Sequence, residues 1–295
     1  MKVLLLGANG QLGTDLRRLA PAAAPGVELI PLTRADLDVT NTAGIADALA
    51  GRAFDALVNC TSYHKTDEVE ANAPQAVAVN AFAVRALARA CAAKRARLAH
   101  VSTDYVFSGV FTGGTPHPYT ESDPIGPLNV YGMSKAMGEA LARAAHDDVL
   151  TFRVASLFGI AGASGKGGNF VETMIRVGRD KGQLRVIADQ HMSPTGTADA
   201  ARMILAALSR RIPAGTYHAV NSGHASWFEF ASKIVERAGI KAAVEPIPAT
   251  AYPLPAQRPA YSVLNNSKLA ALIGPIPHWT EALDRYLTDK GHRSA

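Results

Sequence analysis

A short apolar run that stops at a glycine-rich turn, KVLLLGANGQLG at residues 2 to 13, constrains this 295-residue chain more than any other stretch. The run has strand length, too short for the apolar core of a signal peptide or for a membrane span, and its lack of alternation suits a strand buried on both faces. Similar runs follow at VELIPL (27 to 32), DALVN (55 to 59), RLAHVS (97 to 102) and VLTFRVA (149 to 155). Between them lie longer stretches with apolar residues at helical spacing, such as the alanine-rich Pro74 to Ala93. Strand and helix in alternation predict an α/β fold built on a doubly wound parallel sheet.

After Ala155 the rhythm breaks at a glycine-rich loop, GIAGASGKGGNF (159 to 170), followed by a helical pattern and a short strand, LRVIA (184 to 188). The stretch from 243 to 266 is dense in proline and reads as irregular, and an amphipathic helix from about Trp279 closes the chain. The segment TYHAVNSG (216 to 223) is expected to return to the main sheet. This organisation predicts a nucleotide-binding unit at residues 1–156, with 184–222 partly rejoining it, and a smaller, irregular α/β portion for substrate at 157–183 and 223–295.

Within the first turn, Gly7, Gly10 and Gly13 follow the strand and open a helix near Gln11. Backbone N–H groups at a helix N-terminus attract a diphosphate, and glycine permits the close approach, so the arrangement predicts a dinucleotide site of Rossmann type. At the end of the second strand an acid favours NAD and a nearby arginine accommodates the 2′-phosphate of NADP. Here Thr33 and Arg34 occupy that place, which favours NADPH; Asp36 and Asp38 leave NADH open, and Asp38 with Val39 is also placed to border the adenine.

Tyr131 and Lys135, in NVYGMSKAMGE (129 to 139), are four apart and share a helix face. The plain alternative is an exposed Lys135–Glu139 ion pair on that helix. The chemical reading is that the ammonium lowers the pKa of the tyrosine, ordinarily about 10, so that its hydroxyl can exchange a proton with a substrate oxygen. A third group supports it: VSTDYVFSG (101 to 109) ends a buried strand in Ser102, Thr103 and Asp104, where parallel sheets bind their ligands. A Thr103 hydroxyl there is placed to donate to the carbonyl that Tyr131 protonates.

These residues together resemble the extended short-chain dehydrogenase/reductase family, and within it the enzymes that reduce sugar nucleotides. The similarity runs through GANGQLG, LVNCTSYHKTDEVE, STDYVFSG, PLNVYGMSKAMGE, ADQHMSPTGTAD and the late QRPAYSVLNN. The resemblance implies NADPH-dependent reduction of the 4-keto group of a nucleotide-activated deoxysugar, with Thr103, Tyr131 and Lys135 as catalytic residues. It implies that Gly7, Gly10, Gln11 and Leu12 hold the diphosphate, with Asn9 a further cofactor-binding candidate, and that Asn59, Tyr63 and Asn80 lie along the cofactor or support it. Asp104 and Tyr105 match positions lining the sugar pocket, and Lys166 and Arg258 are candidate substrate diphosphate contacts. One departure bears on the sugar: Ser156, in RVASLFG, stands where the family usually has tryptophan. Part of the family holds magnesium at a dimer contact; Asp15 and Asp289 match two of its acids, but Ala198 falls where a third is expected, so no required metal is predicted. A homodimer is left open.

Other classes fit less well. The net charge of +5 is scattered rather than gathered into a stripe, which argues against nucleic acid. Cys60 and Cys91 lack metal spacing and cannot make a disulfide framework, pointing to a reducing cytoplasm. GASGKGG (162 to 168) lacks the first glycine and the Ser/Thr of a phosphate-binding ATPase loop, and HKTDEVE (64 to 70) reads as an acidic helix start rather than a metal site. An epimerase or dehydratase on the same scaffold remains a rival, as does a non-catalytic nucleotide-binding regulatory subunit, which would have no need of Thr103, Tyr131 and Lys135 together.

Overall fold

The computed structural model describes residues 1–111, 114–162 and 168–293. Strands β1 (Lys2–Leu6), β2 (Glu28–Leu32), β3 (Ala56–Asn59), β4 (Arg97–Thr103) and β5 (Val149–Val154) alternate with helices. These are α1 (Gln11–Ala23), α2 (Ile45–Ala50), α3 (Thr66–Ala71), a long run of α4 (Ala73–Val77), a π-helical turn (Ala78–Phe82) and α5 (Ala83–Lys94), and then α6 (Val130–Ala145). Beyond β5 the order is β6 (Leu157–Phe158), α7 (Phe170–Lys181), β7 (Gln183–Ile187), β8 (His191–Met192), β9 (Thr195–Gly196), α8 (Thr197–Ser209) and β10 (Gly215–His218). The chain closes with β11 (Ala225–Ser226), α9 (Trp227–Arg237), β12 (Ala243–Ile247), α10 (Ser267–Ile273) and α11 (Trp279–Asp289).

Six parallel strands form the main sheet in the order β10-β5-β4-β3-β1-β2. Every second residue of a strand faces the same side, so the unbroken apolar runs supply two cores at once. Val3, Leu5, Val58, Ala99 and Phe152 pack under α1 and α8, while Leu4, Leu6, Leu57 and Leu98 pack under α5. Pro31 in β2 is tolerated because β2 is the edge strand, where one side of the backbone has no ladder partner to lose. The helical run 73–94 is long and apolar enough by composition to cross a membrane, yet 56% of its apolar window is buried inside the fold. Its apolar face is spent on the sheet.

A smaller body carries its own core of Phe158, Val171, Phe230, Trp279 and Leu283 beside the carboxyl ends of the main strands. It contains β12, which pairs in parallel with β7 over Ala243 to Ile247, inside the stretch expected to be irregular. Pro246 obscured that strand in the sequence, and a two-stranded sheet, being all edge, accepts it. The order of the main sheet reverses between β1 and β3, and such a switch point opens a crevice for a ligand.

A candidate active site at the carboxyl ends of the strands

The turn after β1 has little freedom. Gly7 has φ +75°, and a Cβ there would lie 2.9 Å from the Cys60 carbonyl carbon; a Cβ on Gly13 would lie 2.2 Å from the Gly7 oxygen. Only glycine lets α1 start this close to β3. Gly10 caps α1 without a side chain, so the N–H groups of the first turn, at Gln11 and the buried Leu12, are presented to a ligand. This cradle fits a dinucleotide diphosphate. Gln11 reaches across to donate to the Leu157 carbonyl at 3.2 Å, and Asn9 at the rim accepts from Arg17 at 3.3 Å.

At the end of β2, Arg34 lies on the surface and donates to Asp38 at 3.0 Å, while Asp38 also accepts from the Thr40 N–H and hydroxyl. Val39 differs from its neighbours: its side chain is buried in the core cluster of Leu4 and Leu6. Asn80 sits in the π-helical turn, a geometry that often marks functional sites. Its amide accepts from the Tyr63 N–H (2.9 Å) and Ser62 hydroxyl (3.2 Å) and donates to the Tyr63 carbonyl (3.1 Å) and Ser134 (3.0 Å). Asn80 therefore ties the loop after β3 to α6.

Helix α6 starts at Asn129, whose side chain accepts from the Gly132 N–H at 2.8 Å. A Cβ at Gly132 would lie 2.2 Å from the Tyr105 oxygen, so glycine again permits the approach that brings Tyr131 beside Thr103 and Tyr105. The two tyrosine rings meet edge to face, 6.1 Å between centroids. Thr103, at the end of β4, donates to the Asp104 carboxylate at 3.0 Å, and Asp104 also accepts from Ser262 at 2.6 Å. The Thr103 oxygen also accepts from the Tyr105 N–H at 3.2 Å and lies within hydrogen-bond reach of the Tyr131 hydroxyl. Burial pushes the Tyr131 hydroxyl up to about 12, against hydrogen bonds to Thr103 and Ser62 and with the Asp104 charge adding to the rise.

The Lys135 side-chain nitrogen turns towards the sheet, 2.5 Å from the Val101 carbonyl and 3.4 Å from His100 Nε2. The alternative of an exposed Lys135–Glu139 pair fails: Lys135 and Glu139 are 1% and 2% exposed, and Glu139 is held by Arg153 (3.0 and 2.7 Å) and Ser102 (2.5 Å). One turn of α6 thus lies over two residues of β4, Lys135 above His100 and Glu139 above Ser102.

Asp104 is buried, which pushes its carboxyl up to about 6 although hydrogen bonds from Ser262 and Thr103 favour the charged form. Its folded-state value lies above the ordinary one, so the folded protein holds the proton more tightly than the unfolded chain. Stability therefore falls as pH rises through about 4 to 6. In Asp104→Asn that dependence disappears: the wild type loses about 2 to 3 kcal/mol relative to the variant between pH 4 and pH 8, read from urea midpoints. Parallel pH curves for the two proteins would show that the carboxyl is not buried as described.

Gly7, Gly10, Gln11, Leu12, Thr103, Asp104, Tyr105, Tyr131 and Lys135 line one cavity of about 510 Å³. Phe170, Trp227 and Phe230 close it from the smaller body, a wall of aromatics the sequence reading missed because nothing local marks it. Ser156 also lines the cavity, at φ +43°, a left-handed conformation uncommon for a residue with a side chain. Ser62, Cys60 and His100 were missed too; His100 looks like an ordinary strand residue in RLAHVS until α6 is laid over it. Arg258 stands apart from this lining: its two terminal nitrogens bind Asp67 at 2.6 and 2.7 Å, beside Tyr105. Lys166 lies outside the described residues.

A second cavity, about 490 Å³, lies between α1, α8 and α11 and includes Asp15, Ala198 and Asp289. Its acids are engaged by arginines: Asp15 by Arg18 (3.0 Å), Asp199 by Arg202 (2.8 Å) and Arg285 (2.5 Å). Among the described residues no group of three or more His, Cys, Asp or Glu is arranged to hold a metal.

A doubly wound sheet, a glycine cradle at its first turn and a Thr-Tyr-Lys group in the same crevice define a Rossmann-type protein of the short-chain dehydrogenase/reductase architecture. The chain belongs to the family described as RmlD substrate binding domain, whose model matches residues 1–291. It is similar to the dTDP-4-dehydrorhamnose reductase of Streptomyces griseus, 40% identical with 95% of this chain and 91% of that one covered. It is 38% identical to the enzyme of the same name from Mycobacterium tuberculosis, over 96% of this chain and 91% of that one. Among solved structures, the dTDP-4-dehydrorhamnose reductase of Bacillus anthracis in complex with NADP superimposes with a TM-score of 0.88 at 35% identity, covering 98% of this chain and 99% of that one.

Proposed function

We propose that this chain is an NADPH-dependent reductase of the 4-keto group of a nucleotide-activated deoxysugar, with dTDP-4-dehydro-L-rhamnose as substrate. The observation that carries the reading is the meeting of Thr103, Tyr131 and Lys135 in the cavity whose far end is the Gly7–Gly10 cradle. Gly7, Gly10, Gln11 and Leu12 hold the cofactor diphosphate, and Arg34 neutralises the 2′-phosphate. NADPH supplies the hydride when bound. Tyr131 gives its proton to the oxygen of the reduced carbonyl; pushed up to about 12, the phenol carries that proton at neutral pH. Thr103, fixed by Asp104, lies within hydrogen-bond reach of the phenol oxygen and positions it. Tyr105 and Asp104 border the sugar, and the aromatic wall from α7 and α9 excludes water from the reacting carbon.

The test is loss of NADPH absorbance with the keto-sugar generated in situ, with dTDP-rhamnose as the product identified. Cofactor binding without turnover would overturn the substrate and leave the regulatory reading. Release of tightly held NAD from purified protein would favour the epimerase or dehydratase rival. Coenzyme choice is tested separately: Arg34→Asp is expected to lower kcat/KM for NADPH by about tenfold or more while changing NADH little, because it sets a second carboxylate beside Asp38 where the phosphate binds. Unchanged preference would place the determinant elsewhere.

A further inference from the structure

The stretch from Ala256 to Ser262, late in the proline-dense part of the chain, is fastened to the site along its length. The Ala256 N–H donates to the Asp67 carboxylate of α3 at 3.2 Å, the Gln257 carbonyl accepts from the Asn129 side chain at 2.7 Å, and Ser262 donates to Asp104 at 2.6 Å. Arg258 stands among these contacts. Its Nη1 donates to Asp67 Oδ1 at 2.6 Å and to the Ala256 carbonyl at 2.5 Å, which occupies both hydrogens of that nitrogen, and Nη2 donates to Asp67 Oδ2 at 2.7 Å. The edge of the guanidinium that would grip a phosphate in two places is therefore turned onto Asp67. The Nε hydrogen and the second Nη2 hydrogen remain, and the Tyr105 hydroxyl lies within hydrogen-bond reach of this guanidinium. A guanidinium has no lone pair, so the phenol oxygen is the acceptor in that contact. The hydrogen of the phenol is left to point elsewhere, and Tyr105 lines the cavity.

We propose that Asp67 and Arg258 are positioning residues that hold the Tyr105 hydroxyl as a hydrogen-bond donor to an oxygen of the sugar. The proposal rests on the reductase reading for the nature of that sugar; the arrangement of the three side chains stands without it. It replaces the diphosphate contact expected of Arg258 from the sequence, and it accounts for an arginine that sits at the site yet outside the cavity lining. Each member has a distinct part. A lone phenol can turn its hydrogen to either side, and a donor fixed on one side of it removes that choice before the substrate arrives. Arginine is itself long and mobile, and the two-point bond to Asp67 fixes the plane of its guanidinium. The location decides which part of the substrate is met. The Tyr105 ring packs edge to face on Tyr131, 6.1 Å between centroids, at the reacting end of the cavity and away from the Gly7–Gly10 cradle. The acceptor there is a sugar oxygen and not a phosphoryl oxygen.

The test has a substrate-free arm and a kinetic arm. Full-length protein carrying ¹³Cζ-labelled tyrosine is observed by NMR without ligand, with Tyr105→Phe identifying the resonance. The Tyr105 signal is expected to move in Arg258→Met and in Asp67→Asn, and Asp67→Asn is expected to add nothing when combined with Arg258→Met. A signal unmoved by Arg258→Met overturns the proposal, whatever the substrate. In the kinetic arm, KM for the keto-sugar rises about three- to tenfold in Arg258→Met, the weight of one hydrogen bond, with a smaller change in kcat. The Kd for dTDP, which carries the diphosphate without the sugar, stays the same. Tyr105→Phe shows the same rise in KM, and Arg258→Met added to Tyr105→Phe raises it no further. A matching loss of dTDP affinity would return Arg258 to the diphosphate, and additive losses in KM would reduce the pair to a fastening of the chain; either result overturns the proposal. Should Arg258→Met fail to fold, Asp67→Asn carries both arms, since it keeps the size of a side chain already 38% exposed. Wild-type protein that leaves the keto-sugar unreduced overturns the reductase reading, and the ¹³C arm then decides the pair alone.

Discussion

In Tyr131→Phe, turnover of the keto-sugar falls about 10²- to 10⁴-fold while NADPH affinity changes little, the loss expected when a positioned general acid is removed. The substitution takes away one oxygen and keeps the ring, so the edge-to-face contact with Tyr105 survives and the fold has little reason to respond. What disappears is the donor that Thr103 and Ser62 aim into the cavity. The loss corresponds to about 3 to 5 kcal/mol of transition-state stabilisation. It should appear in kcat, since the proton moves only as charge develops on the carbonyl oxygen. Stopped-flow traces of NADPH oxidation at saturating substrate check it. A variant retaining a tenth or more of the activity would move the proton donor away from Tyr131, and Asp104, with its carboxyl raised to about 6, would be the next group to test.

The sheet was legible in the sequence because a strand buried on both faces has nothing but apolar residues to offer, and KVLLL, DALVN and the N-terminal half of VLTFRVA carry that signature without interference. The glycine turn was legible for a related reason: Gly7 and Gly13 answer to backbone clashes that no other residue survives. The order of the candidate site residues was visible too, since Thr103 ends its strand and Tyr131 stands in the first turn of its helix. What the spacing of Tyr131 and Lys135 could not convey is which way a long side chain turns once a strand lies beneath it. Four residues along a helix put both side chains on one face, but the neighbours that decide the lysine's partner, His100 and Val101, belong to β4. The same blindness applied to Glu139, whose partner Arg153 comes from β5, to β12, whose proline hid it, and to the aromatic wall of Phe170, Trp227 and Phe230. Each depends on contacts between elements far apart in the chain, where local pattern has no purchase.

Glu139 carries the second large effect, and it is on the fold. Its carboxylate and the Arg153 guanidinium form a bidentate pair with side chains 1% and 5% exposed, Ser102 supplying a further hydrogen bond. Forming such a pair roughly balances desolvation against attraction, so its presence adds little net stability; breaking it is another matter, because the survivor is left charged in a dry place. Arg153 has no easy escape: it lies 5.0 Å over the Phe107 ring, and its remaining terminal nitrogen already lacks a partner among the described residues. Glu139→Ala is therefore expected to cost about 3 to 5 kcal/mol in urea unfolding, whereas Glu139→Met with Arg153→Met, which removes both charges and keeps the volume, should recover most of it. Activity should follow the same order, since Glu139 pins α6 to β4 one turn beyond Lys135 and two beyond Tyr131. If the single variant lost less than about 1 kcal/mol, the pair would be behaving as an exposed one, and α6 would have to be held over the sheet by apolar packing and the Lys135–His100 contact alone.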